Sequence, residues 1–141
     1  MIVAFCGHSK IENAEVADWL LSTCEQLIEE GADTFYLGGY GAFDRLAHQT
    51  VKKLQRTHTG LTSILVMPYL NWNVDVSEYD ETIYPPLETV PLRFAISKRN
   101  LWMAEKADVM VAYVTHDWGG ACKTMEHAQR KKKRVVQYRA I

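Results

Sequence analysis

Two rhythms of apolar and polar residues run along this chain. Met1–Cys6 (MIVAFC) is a continuous apolar run that ends at Gly7, the pattern of a strand covered on both faces. Between Glu12 and Glu30, Val16, Trp19, Leu20, Cys24, Leu27 and Ile28 recur at three- and four-residue spacing, which predicts an amphipathic helix closed by Gly31. Thr34–Leu37 is a second strand, cut off by Gly38-Gly39. Ala42–Gln55 is a second helix, with Phe43, Leu46, Ala47, Val51 and Leu54 on its apolar stripe. Thr62–Met67 predicts a third strand, stopped by Pro68. From Tyr69 to Val90 the rhythm is lost, and Asn71-Trp72-Asn73, several acids and Pro85-Pro86 take its place. Such a stretch inside a compact domain is usually functional or poorly ordered, so it is expected to form a lid or a subunit contact. Pro91–Lys106 reads as a helix, Asp108–Val114 as a fourth strand, Ala121–Lys133 as a helix with a basic end, and Val135–Tyr138 as a fifth strand.

Strands that alternate with helices need crossover connections, and these are nearly always right-handed. The expected fold is α/β, a Rossmann-like three-layer sandwich around a mostly parallel five-stranded sheet of order 3-2-1-4-5. In such a sheet a ligand binds at the carboxyl ends of the strands, at the switch point between the first and fourth. The 141 residues fit a single domain, 1–141, with a real core and no room for a second substrate domain.

Composition narrows the function. With 48% apolar and 23% charged residues, the chain is neither disordered nor fibrous. A net charge of −1 argues against nucleic acid as a partner, because such binders usually carry a basic surplus. Lys131–Arg134 (KKKR) reads as a solvated helix end. Cys6, Cys24 and Cys122 form no CxxC pair and fit a reducing, cytoplasmic setting. There is no basic segment ahead of a long apolar one at the N-terminus, and no run approaches a membrane span, so no membrane partner is expected. His48, His58, His116 and His127 show no ligand spacing, and neither a metal nor another cofactor is called for.

Chemistry gathers where the topology wants it. Gly7-His8-Ser9 follows the first strand, Gly38-Gly39-Tyr40-Gly41-Ala42-Phe43-Asp44 the second, and Trp118-Gly119-Gly120-Ala121-Cys122-Lys123-Thr124 the fourth. Glycines admit a ligand to the backbone, and the helices that follow offer unpaired N–H groups to an anion. Arg99, beside Lys98 and Asn100, suits a phosphate fork, and Asp44 suits either a helix cap or a ribose hydroxyl. Glu126 reads as dipole complementation or as an acid/base group. Tyr69, Trp72 and Trp118 are rings that either stack on a base or cover the core. Cys122 sits where a helix start lowers a thiol pKa.

In these pieces the chain resembles the SLOG superfamily, which includes Lonely Guy phosphoribohydrolases, DNA-processing A proteins and small stand-alone members of bacteria and phages. The matching residues are Gly7-His8-Ser9, Gly38-Gly39-x-Gly41-x-x-Asp44, Lys98-Arg99-Asn100, and Gly119-Gly120 leading into Thr124 and Glu126. The resemblance implies a site for a nucleotide or nucleotide-derived signal, built from Gly7, His8, Ser9, Gly38, Gly39, Gly41, Asp44, Arg99, Asn100, Gly119, Gly120, Lys123 and Thr124. Sensing or sequestration of that ligand is the first function it implies. The second is cleavage of the N-glycosidic bond of a nucleoside monophosphate, with Arg99 on the phosphate and Glu126 as the acid/base. In the Lonely Guy motif PGGxGTxxE a Pro stands where this chain has Trp118, and the step from the Gly pair to Thr124 is one residue longer here, which favours binding over hydrolysis. Single-stranded DNA binding is the third. Relatives are often oligomeric, so a homo-oligomer is expected.

Overall fold

A computed structural model describes residues 1–139. Its strands are β1 (Ile2–Gly7), β2 (Thr34–Leu37), β3 (Thr62–Val66), β4 (Glu81–Ile83), β5 (Val109–Tyr113) and β6 (Arg134–Gln137). Its helices are α1 (Val16–Glu29), α2 (Ala42–Gln55), α3 (Ala95–Lys106) and α4 (Gly120–Arg130), with short 3₁₀ turns at Val76–Glu78 and Leu92–Phe94. All neighbouring strands pair in parallel.

The sheet has six strands in the order β4-β3-β2-β1-β5-β6, not five in the order 3-2-1-4-5. The added strand is β4, which lies within the stretch that lacks periodicity. Its sequence, Glu-Thr-Ile, is short, and its first two residues are exposed. It exists because it pairs with β3, Ile64 opposite Glu81 and Val66 opposite Ile83. The side chain of Asp80 holds it there, accepting from the Ser63 N–H at 2.8 Å and from Gln55 Nε2 at 2.7 Å.

Alternation along the strands builds two cores. Val3, Phe5, Phe35, Leu37, Val109 and Val111 face α1 and α2. Ala4, Cys6, Tyr36, Ile64, Met110 and Ala112 face α3 and α4. Because β1, β2, β3 and β5 are covered on both faces, they read as unbroken apolar runs.

Helix α1 starts at Val16, four residues later than Glu12. The reason is tertiary. Glu12 N–H donates to the Tyr113 hydroxyl at 3.2 Å, and that hydroxyl donates to Asn13 Oδ1 at 2.9 Å. The end of β5 thus pins the β1–α1 loop in a non-helical path. No helix among the described residues is long and apolar enough to cross a membrane.

Candidate functional site

The carboxyl ends of β1 and β5 open into a cleft of about 490 Å³. The β1–α1 loop, the start of α2, α3 and the β5–α4 loop form its walls. Of the residues singled out in the sequence, Gly7, His8, Ser9, Asp44, Arg99, Asn100, Gly119, Gly120 and Thr124 line it. Gly38, Gly39 and Gly41 stand just behind the wall. Lys123 is exposed and outside the lining. Glu126 is also exposed, and it borders a separate hollow with Asp117, Cys122 and Gln137.

The glycines do different work from one another. A Cβ on Gly7 would fall 2.3 Å from the Phe43 ring, on Gly38 2.7 Å from Asp44 Oδ2, and on Gly39 2.9 Å from Leu65. These three make room for the protein's own side chains. Trp72 and Tyr79 both approach Gly39, and Tyr79 packs against the core. At the β5–α4 turn the space is open. A Cβ on Gly120 would meet nothing within 4 Å, and Gly119 adopts φ +94° as the N-cap of α4 without a side-chain cap. The first N–H groups of α4 thus lack a side-chain cap beside open space, an arrangement that suits an anion.

Arg99, expected to hold phosphate, lines the cleft but is 1% exposed, and its Nε and Nη1 donors are spent within the fold. Nη1 donates to Gly38 O at 2.9 Å and Val66 O at 2.6 Å, and Nε donates to Asn100 Oδ1 at 2.8 Å. It ties the ends of β2 and β3 to α3. The lysine at the cleft is Lys10, an exposed residue that follows Ser9. Sequence reasoning passed over it, since a loop lysine has no periodic signature.

Three rings stack along the β5–α4 side. The His8 and His116 ring centres lie 3.8 Å apart, as do those of His116 and Trp118, each pair stacked with nearly parallel planes. His8 Nε2 accepts from the Thr115 N–H at 2.9 Å, which places the ring proton on Nδ1. Burial, together with His116, lowers the pKa of His8. Trp118 and Tyr40 are 67% and 64% exposed at the rim.

Asp44 is the third residue of α2. Burial raises its pKa from 3.8 to about 6, against the downward pull of Arg99. Two buried side-chain polar atoms among the described residues have no hydrogen-bond partner, Asp44 Oδ1 and His116 Nδ1. Both residues line this cleft. The Cys122 thiol is raised, not lowered, by burial and by its hydrogen bond to Glu126. The helix start does not activate it. No cluster of groups that could hold a metal ion occurs among the described residues.

No protein-family model matches the chain. No curated protein matches it in sequence. Solved structures do match in fold. DNA processing protein A from Helicobacter pylori, described for its single-stranded DNA binding mode, superposes with a TM-score of 0.71 at 15% identity, over 100% of this chain and 66% of that one. DNA processing protein A from Streptococcus pneumoniae gives 0.72 at 18% identity, over 99% and 50%. The structural-genomics target TM1055 gives 0.64 at 19%, over 95% and 71%. The chain thus spans between half and about seven tenths of the proteins it resembles. The shared architecture is a Rossmann-like α/β fold. The expectation against nucleic acid finds no support in these neighbours.

Proposed function

We propose that the cleft binds a nucleotide or nucleotide-derived signal, and that residues 1–141 form a single SLOG-type binding domain that senses or sequesters it. The observation that carries this reading is the pair of unpartnered buried atoms, Asp44 Oδ1 and His116 Nδ1, both on the lining of one cleft. Buried polar groups are satisfied almost everywhere in folded proteins, and an exception costs about 1–3 kcal/mol each. A polar ligand supplies the missing partners. The open N-terminus of α4 and Lys10 suit its phosphate, and the exposed faces of Trp118 and Tyr40 suit its base.

Thermal denaturation with mono-, di- and cyclic nucleotides and NAD derivatives tests this. At a hundredfold excess over Kd a ligand adds about 2.7 kcal/mol, which raises Tm by several degrees in a domain of this size. If none of these compounds moves Tm, the reading fails.

Single-stranded DNA is the second reading, favoured by the fold shared with a protein described for that activity. An oligothymidylate included in the same series separates the two. Hydrolysis of a nucleoside monophosphate draws no support from Glu126, whose side chain borders the other hollow. Adenine released from AMP, and lost in Glu126→Gln, is the result that would restore it. We also retain the homo-oligomer, for which Leu70 and Leu92, 68% and 75% exposed, offer apolar surface.

A further inference from the structure

We propose that Asp44 selects ribose: its Oδ1 accepts a hydrogen bond from a free sugar hydroxyl, so the cleft takes ribonucleoside-derived ligands in preference to deoxy ligands and to single-stranded DNA. This rests on the reading of the cleft as a nucleotide site.

The argument begins with what Asp44 lacks. Its Oδ2 accepts from the Tyr40 N–H in the β2–α2 turn at 3.5 Å and lies against Gly38. Its Oδ1 is closed to solvent and has no partner. Arg99 does not compensate it by an ion pair. Asp44 forms none among the described residues, and the guanidinium donates to two main-chain carbonyls and to Asn100. A carboxylate oxygen left in this state is costly, and it belongs to a residue that lines the cleft, where a small shift of the side chain on ligand binding brings it to a donor. An ionised carboxylate only accepts, so the missing partner is a donor.

A nucleotide offers two kinds of neutral donor, sugar hydroxyls and base amines or imides. The base has surfaces at the rim, where Tyr40 and Trp118 stand exposed. Asp44 also lines the cleft, at the start of α2 against the Gly38 turn and less exposed than either ring. With the base on those exposed rings, the sugar is the next group along the nucleotide that carries donors. Within a DNA strand the 2′ position carries no hydroxyl and the 3′ oxygen is esterified, so internal nucleotides have no sugar donor to offer.

The test compares wild-type affinities for AMP, GMP, CMP and UMP with those for their 2′,3′-dideoxy counterparts and for an oligothymidylate, by calorimetry. Loss of a hydrogen bond to a charged acceptor corresponds to about tenfold or more in Kd. We expect a gap of that size for whichever base binds, narrowed in Asp44→Asn and abolished in Asp44→Ala, while affinity for the dideoxy form stays near the wild-type value. Equal wild-type affinities for ribo and dideoxy forms overturn ribose selection and leave the nucleotide site standing. A gap that persists in both variants, or oligothymidylate binding as tight as that of the ribonucleotide, overturns it as well. If no mononucleotide of either sugar binds, the reading of the cleft itself falls, and this proposal with it. The wild-type series decides the question even if a variant fails to fold.

Discussion

Asp44 ties stability to pH in a direction opposite to that of an ordinary surface carboxylate. Its folded pKa, about 6, lies above its unfolded value of 3.8. The folded state therefore binds the extra proton, and the stability this confers is complete below about pH 4 and lost as pH rises through 6. Ionising the group costs the fold about 3 kcal/mol by pH 8, at about 1.4 kcal/mol per unit. Asp44→Asn removes that cost. Urea titrations should find the variant more stable than wild type at pH 8, with the difference closing towards pH 4. His8, whose pKa is lowered, favours folding in the opposite sense, being stabilising above its unfolded value and less so as pH falls. It is common to both proteins and cancels in the comparison. A variant no more stable at pH 8 than at pH 4, relative to wild type, would show that Asp44 is not buried as a carboxylate. Gain of stability with loss of ligand discrimination is the pattern expected of a functional group held in an unfavourable place.

Among the elements, the contacts between loops and helices decide which substitutions report on binding and which only on folding. Arg99→Ala strips a partner from Gly38 O and from Val66 O inside the core, and should cost about 1–3 kcal/mol for each stranded carbonyl by chemical denaturation, a loss of stability whatever its effect on ligand. Gly7→Ala drives a methyl into the Phe43 ring, which is fully buried and cannot yield, so about 1–3 kcal/mol of destabilisation is expected. Trp118→Ala alters an exposed ring at the end of a stack. It should leave Tm without ligand nearly unchanged while reducing the ligand-induced shift, and an undiminished shift would remove Trp118 from the site. The apolar runs of β1, β2, β3 and β5 and the stripe of α2 were legible in the sequence because burial on fixed periods is a local property. Strand β4 and the late start of α1 were not, because Ser63 and Tyr113, far along the chain, impose them.

At the scale of the whole molecule, the sheet edge gathers loops from three separate parts of the chain into one cleft, and the long 69–94 segment supplies both β4 and exposed apolar side chains. Leu92 is the most exposed of these. If copies associate through it, sedimentation velocity should show an assembly larger than 16.1 kDa that Leu92→Glu disperses. A monomer at every concentration would end that expectation. The near-neutral net charge suits the anion site proposed at the start of α4 with Lys10 beside it.

By itself the sequence determined the α/β class, the helices on both faces, and which loops meet at the carboxyl edge of the sheet, because apolar periodicity and glycine-rich turns are written locally. It placed His8, Asp44, Gly119 and Gly120 at the right edge of the sheet. Only the tertiary structure decided their roles. Whether an arginine faces a ligand or a carbonyl, and whether a glycine makes room for phosphate or for phenylalanine, depends on what distant segments bring against it. Arg99 donates from Nη1 to Gly38 and Val66, Glu126 borders a second hollow, and Asp44 was left with one oxygen unmet. Those outcomes follow from packing in three dimensions, which no spacing along the chain encodes.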